Sequence, residues 1–167
     1  MTWPYRLRLA TSVLALAASL AAATAATATN ASASSATRPS ITTVRFTGNA
    51  GSGQESPYVV IDGSGFGSTY PSGTSDDSTG CGTYTNNGYV FGNRLYFTDD
   101  TNFEAGYSDS NGADCVGMTV FSWSDTEIVL VFGNAYGTYQ HWYLANGDGY
   151  AVSVEGGIYG GTVNGLG

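Results

Sequence analysis

From residue 41 onward, no stretch of twelve residues keeps apolar side chains at i, i+3, i+4 and i+7 without glycine or serine breaking in. An amphipathic helix needs that period to bury one face, so helices are excluded as the basis of the fold. Short runs rich in β-branched and aromatic residues stand in their place. They lie at 41–46 (ITTVRF), 57–62 (PYVVID), 93–98 (NRLYFT), 116–123 (VGMTVFSW), 126–132 (TEIVLVF), 150–155 (YAVSVE) and 158–163 (IYGGTV). Residues of these types fit a pleated, half-buried surface. Turn formers punctuate the runs: Gly63-Ser64-Gly65, Ser124-Asp125, and Asn-Gly pairs at 87–88, 111–112, 146–147 and 164–165. Asn-Gly reaches positive φ at low cost and favours tight hairpin turns. About seven short strands with frequent turns predict an all-β domain, a two-layer β-sandwich, with a closed barrel as the competing arrangement.

The N-terminus reads differently. Arg6 and Arg8 precede an apolar, alanine-rich run over 9–23, and Ala-x-Ala-like sites follow at 23–25 and 26–28. A charged head, an apolar middle and a small-residue exit make a secretory signal peptide, assigned to residues 1–28. The run is short for a membrane span, so no membrane insertion is expected once it is cleaved. Residues 29–40 (TNASASSATRPS) carry no large apolar side chain and are expected to form a flexible linker. The folded domain is expected over 41–167. The C-terminus shows no anchor or cell-wall sorting motif.

Charge narrows the partners. The chain has thirteen acids, all beyond residue 54, and no lysine. Against Arg38, Arg45 and Arg94 they leave the segment after the signal at about −10. Such a surface repels phosphate backbones, so no nucleic-acid partner is expected. The oligomeric state is not legible.

Two polar stretches, 68–87 and 99–114, lack strand character and are expected to be long loops. One contains Cys81 and the other ends beside Cys115. In an exported chain two cysteines most simply pair, here stapling the two loops together. Closing a loop of this length contributes on the order of 3 to 4 kcal/mol. Half of a metal site is the alternative for the cysteines. Asp109, Asn111 and Asp114 surround a glycine turn and offer oxygen ligands for Ca2+, with further carboxylates at Asp99-Asp100 and Asp76-Asp77. No glutamate completes an EF-hand, and solvated acidic loops are the competing reading. Otherwise no cofactor is expected.

Catalytic signals are sparse. The sole histidine is His141, and there is no G-x-S-x-G elbow to present a serine nucleophile. Glu104, Glu127 and Glu155 leave room for two-carboxylate glycosidase chemistry. Gly63-x-Gly65-x-Gly67 lacks the spacing and the following helix of a nucleotide loop. Aromatics give the best binding signal. Tyr136, Tyr139, Trp142 and Tyr143 crowd one segment, and Tyr84, Tyr89 and Tyr107 lie in or beside loops. Flat rings with polar tips suit sugars and protein interfaces, while core plugs are the competing use.

Three pieces, in order, carry a resemblance. Residues 59–67 (VVIDGSGFG) resemble a strand followed by a G-x-G-F-G corner. Residues 122–130 (SWSDTEIVL) are similar to an SWSDTEI-type hairpin. Residues 147–154 (GDGYAVSV) look like a closing G-x-Y-x-V-x-V strand. Together they resemble the IPT/TIG family of immunoglobulin-like domains, over about half of the mature chain. The resemblance implies an immunoglobulin-like sandwich with two inserted loops and an extracellular structural or binding role. The family has no catalytic motif to carry over. The expectation is therefore a secreted, extracellular, non-catalytic module that recognises glycan, cell-envelope material or an extracellular protein. A small secreted carboxylate-dependent hydrolase is the alternative, and a secreted inhibitor or toxin-like factor the third reading.

Overall fold

The computed structural model describes residues 38–49, 55–75, 86–101, 103–107, 116–138 and 142–167. The expected signal peptide, the linker up to residue 37, Cys81, Cys115, Asp109, Asn111, Asp114, Tyr139 and His141 lie outside the described residues. Among the described residues ten strands form: β1 (Ser40–Thr47), β2 (Tyr58–Ser64), β3 (Thr74–Ser75), β4 (Tyr89–Val90), β5 (Leu95–Asp99), β6 (Glu104–Ala105), β7 (Met118–Trp123), β8 (Glu127–Phe132), β9 (Gly149–Val154) and β10 (Gly157–Thr162). A 3-10 turn at Gly92–Arg94 leads into β5, and the described residues contain no α-helix. They hold ten strands rather than about seven, because three two-residue strands, β3, β4 and β6, add to the longer runs.

The strands make two antiparallel sheets, ordered β1-β2-β8-β7-β4-β3 and β10-β9-β5-β6. The fold is all-β and sandwich-like. Strand side chains alternate in direction, so one face of each sheet can be apolar. The first sheet turns Val59 and Ile61 of β2 and Ile128, Leu130 and Phe132 of β8 into the core. The second contributes Leu95, Phe97, Val152 and Val154. All belong to one cluster of buried residues, and full burial of each such side chain stabilises by roughly 1.5 to 3 kcal/mol. Single bridges seam the sheets: Gly48 with Leu166, and Ala105 with Val116. β1 also packs beside β10. The ladders do not continue across these seams, so two sheets form rather than the closed barrel.

The three pieces singled out in the sequence form strand-and-turn units. In the first, β2 runs into a corner where Gly65 and Gly67 both have φ of +79° and Phe66 is buried. In the second, β7 and β8 are joined by a three-residue turn, one longer than the Ser124-Asp125 spacing predicts. Ser124 Oγ accepts from the amides of Thr126 and Glu127. The two units are stitched to each other. Asp125 Oδ1 accepts from Gly67 N at 3.0 Å, and Trp123 Nε1 donates to the carbonyls of Phe66 and Gly67. The third piece supplies β9, whose turn into β10 is Glu155–Gly156 at φ +46° and +84°. Glutamate is an uncommon residue in that region. It is held there by Arg94, whose Nη2 lies 2.8 Å from its carboxylate.

A bulge between Val120 and Ser122 inserts Phe121 into β7. Bulges re-aim side chains. This one sets Phe121 on the outer face, its ring 5.7 Å from that of Tyr58.

Candidate functional site

The site begins with a backbone fit. Asn87 is fully buried, and its Oδ1 accepts from Ala135 N at 2.9 Å. Its carbonyl oxygen occupies the space a side chain would need at two glycines. A Cβ at Gly117 would lie 2.0 Å from that oxygen, and one at Gly133 1.9 Å. Gly133 N in turn donates to Gly117 O at 2.7 Å. The next residue, Gly88, sits at φ +81° with no room for a Cβ beside Met118. Asn87-Gly88 thus clamps the backbone at the start of β4 and is not a two-residue hairpin turn of the kind the dipeptide favours. The clamp holds β4 between β7 and β3 and so places Tyr89 and Phe91.

Those two rings and the 69–73 segment enclose a groove of about 430 Å³, lined by Thr69, Tyr70, Pro71, Ser72, Gly73, Tyr89 and Phe91. That volume falls within the roughly 300 to 1,000 Å³ typical of small-ligand sites. Tyr70 and Tyr89 are about half exposed, at 50% and 48%, while Phe91 is buried beneath them. The Tyr70 and Tyr89 ring centroids lie 6.5 and 6.4 Å from that of Phe91. Tyr70 also meets Trp123 at 6.3 Å, and Trp123 meets Phe66 at 6.3 Å. The two surface rings therefore stand on a chain of aromatics rooted in the core. Gly73 keeps the floor open, since a Cβ there would come within 2.9 Å of Tyr89 Cβ and 2.7 Å of the Phe91 ring. No lining residue carries a formal charge. A smaller depression of about 180 Å³ adjoins, lined by Ser75, Asn86, Gly88, Tyr89 and Thr119.

The described residues of the aromatic segment picked out in the sequence lie outside this groove. Tyr136 is in the core, 5% exposed, stacked on Phe132 at 5.3 Å and edge-on to Phe103. Its hydroxyl accepts from Leu144 N at 3.0 Å. Neither its ring face nor its oxygen is offered to a ligand, so this member of the expected binding set takes the competing use as a core plug. Trp142 and Tyr143 are partly buried and pack against the core. Among the carboxylates, Glu155 is committed to Arg94. Asp99 closes its own loop by accepting from the amides of Thr101 and Phe103. Burial raises the Asp99 pKa against the pull of those hydrogen bonds. Among the described residues no group of three or more His, Cys, Asp or Glu is placed to hold a metal ion. None of their helices is long and apolar enough to cross a membrane.

Burial also pushes the phenols of Tyr136 and Tyr150 up to about 12. The unfolded chain releases such protons near pH 10. Between these values the unfolded state binds fewer protons, so stability falls as pH rises from 10 to 12. For Tyr136 the full loss is roughly 3 kcal/mol. Urea midpoints at pH 8, 10 and 12 should show it. Tyr136→Phe should flatten part of the decline, at a cost of about 1 to 3 kcal/mol at neutral pH for the Leu144 amide left without its acceptor. A midpoint unchanged between pH 10 and 12 would contradict this account.

Comparison with known proteins gave no match to any family model, curated protein or solved structure.

Proposed function

We propose that this chain is a secreted, non-catalytic binding module that takes neutral carbohydrate, such as cell-envelope or extracellular polysaccharide, in the Tyr70–Tyr89 groove. The observation that carries the reading is the pair of half-exposed tyrosines flanking a ligand-sized groove on a buried aromatic base. Sugar rings present flat C–H faces that stack on such rings, and hydroxyls that suit the tyrosine tips, Thr69 and Ser72. The uncharged lining and the acidic balance of the chain favour a neutral ligand over an anionic one. Secretion rests on the signal-like residues 1–28. An IPT/TIG-type, immunoglobulin-like architecture is part of the same proposal. Its supports are the buried corner residue Phe66, the β7–β8 hairpin and the closing strand β9, all formed by the family-like pieces.

Affinity electrophoresis against neutral and acidic polysaccharides tests the reading. A neutral polymer should retard the chain. Tyr70→Ala and Tyr89→Ala should each weaken binding about tenfold or more, the scale of losing one central aromatic anchor. Tyr58→Ala, which removes an exposed ring outside the groove, should leave binding intact. Retardation that survives both groove substitutions would sink the site. Release of reducing ends from the polymer would favour the carboxylate-dependent hydrolase instead.

A further inference from the structure

We infer that the ligand is a linear oligosaccharide of at least two neutral units, and that Tyr89 is the saddle its chain crosses between an aromatic subsite and a polar one. The inference rests on the groove being a sugar site and adds the length and polarity of what it holds.

Tyr89 belongs to the walls of both depressions. The two differ in chemistry. On one side lies the half-exposed ring of Tyr70, a surface for stacking, above the buried Phe91. On the other lie Ser75, Asn86 and Thr119, groups that donate and accept hydrogen bonds. They also differ in size. At about 430 Å³ the first can act as a site by itself, whereas the second, at about 180 Å³, falls below the roughly 300 Å³ at which small-ligand sites begin. The smaller depression has a use only as a continuation of the larger. A ligand that spans both must be long enough to pass over Tyr89. It must stack at one end and offer hydroxyls at the other, and it should carry no charge, because none of the described lining residues does. A chain of neutral sugar units meets all four conditions.

Thr119 is the residue to change. It lies in β7, in register with Val131 of β8, and it lines only the polar depression of the two. Thr119→Val keeps the β-branched shape and removes the hydroxyl. Thr119→Tyr fills the depression and leaves Tyr70 and Phe91 untouched. Titration calorimetry with cello- and chito-oligosaccharides of one to six units reads the result. In the unaltered chain, affinity should rise tenfold or more from one unit to two or three. In Thr119→Tyr that gain should vanish while binding of the single unit stays within twofold. Thr119→Val should lose part of the gain. Affinity equal for one unit and for six would overturn the two-subsite inference and leave the groove as a one-sugar site. A length dependence unaltered in Thr119→Tyr would overturn it as well. Binding of none of these sugars, with capture of a proline-rich peptide instead, would overturn both the inference and the carbohydrate reading, since extended proline-rich segments also dock in aromatic-lined grooves.

Discussion

Gly133→Ala should unfold much of the population under conditions where the unaltered chain is native. The added methyl carbon would lie 1.9 Å from the Asn87 carbonyl oxygen and 2.3 Å from the carbon behind it. Both are backbone atoms, so no rotamer change can clear them. Asn87 cannot retreat easily, because it is fully buried and its side chain is tied to Ala135 N. Overpacking typically costs about 1 to 3 kcal/mol where side chains can yield. Here the backbone must move, and about 3 to 5 kcal/mol is expected, a large part of the 5 to 15 kcal/mol that typically holds a domain together. Thermal melting followed by circular dichroism should show a fall of about 10 to 25 °C. Gly160→Ala is the control. Its nearest atom is the Tyr150 carbonyl oxygen at 3.3 Å, and its melting point should move by only a few degrees. A Gly133→Ala chain melting alongside that control would refute the clamp.

The second large effect is expected at Phe97→Ala. Phe97 is fully buried and stacks on Tyr150 at 5.3 Å. It also meets Phe46 and Phe132 edge-on at 5.9 and 5.6 Å. Phe132 and Phe46 come from the first sheet and Tyr150 from the second, so the ring joins the two layers. Truncation loses the transfer energy and leaves a cavity between sheets, for about 3 to 5 kcal/mol. Phe97→Leu keeps most of the volume and loses the ring geometry, and should cost less than about 2 kcal/mol. Chemical denaturation of the three chains checks the order. Equal losses for alanine and leucine would mean that the filled volume is not what matters.

The longer strands were legible because their apolar residues alternate or run together. Val59 and Ile61 in β2, and Ile128 and Leu130 in β8, each mark a buried face. The short strands were not. Thr74–Ser75 and Glu104–Ala105 carry no apolar period, and at two residues each they are too short to show one. Asn87-Gly88 misled for a related reason. The dipeptide announces a bend but not whether the bend is exposed, and that is decided by glycines 29 and 45 residues downstream, at 117 and 133. The aromatic segment at 136–143 shows the same limit. Its density was plain, yet Tyr136 points inward because Phe132, four residues before it, gives its ring a stacking partner. Tyr70 lies inside a stretch too polar to look packed. The nearest available signal is Tyr89 with Phe91, together with Gly73, whose missing side chain leaves the rings room.

Exposed sheet margins invite other chains to add strands, and many proteins guard them with lysine. This chain has no lysine to use. Among the described residues its sheets end on one side in β3 and β6, two residues each, and on the other in β1 and β10, which lie beside one another. At β3 and β6 an incoming strand finds only two residues to copy, and at β1 and β10 each edge strand has the other lying beside it, so the margins are guarded by shortness and by mutual cover rather than by cationic side chains.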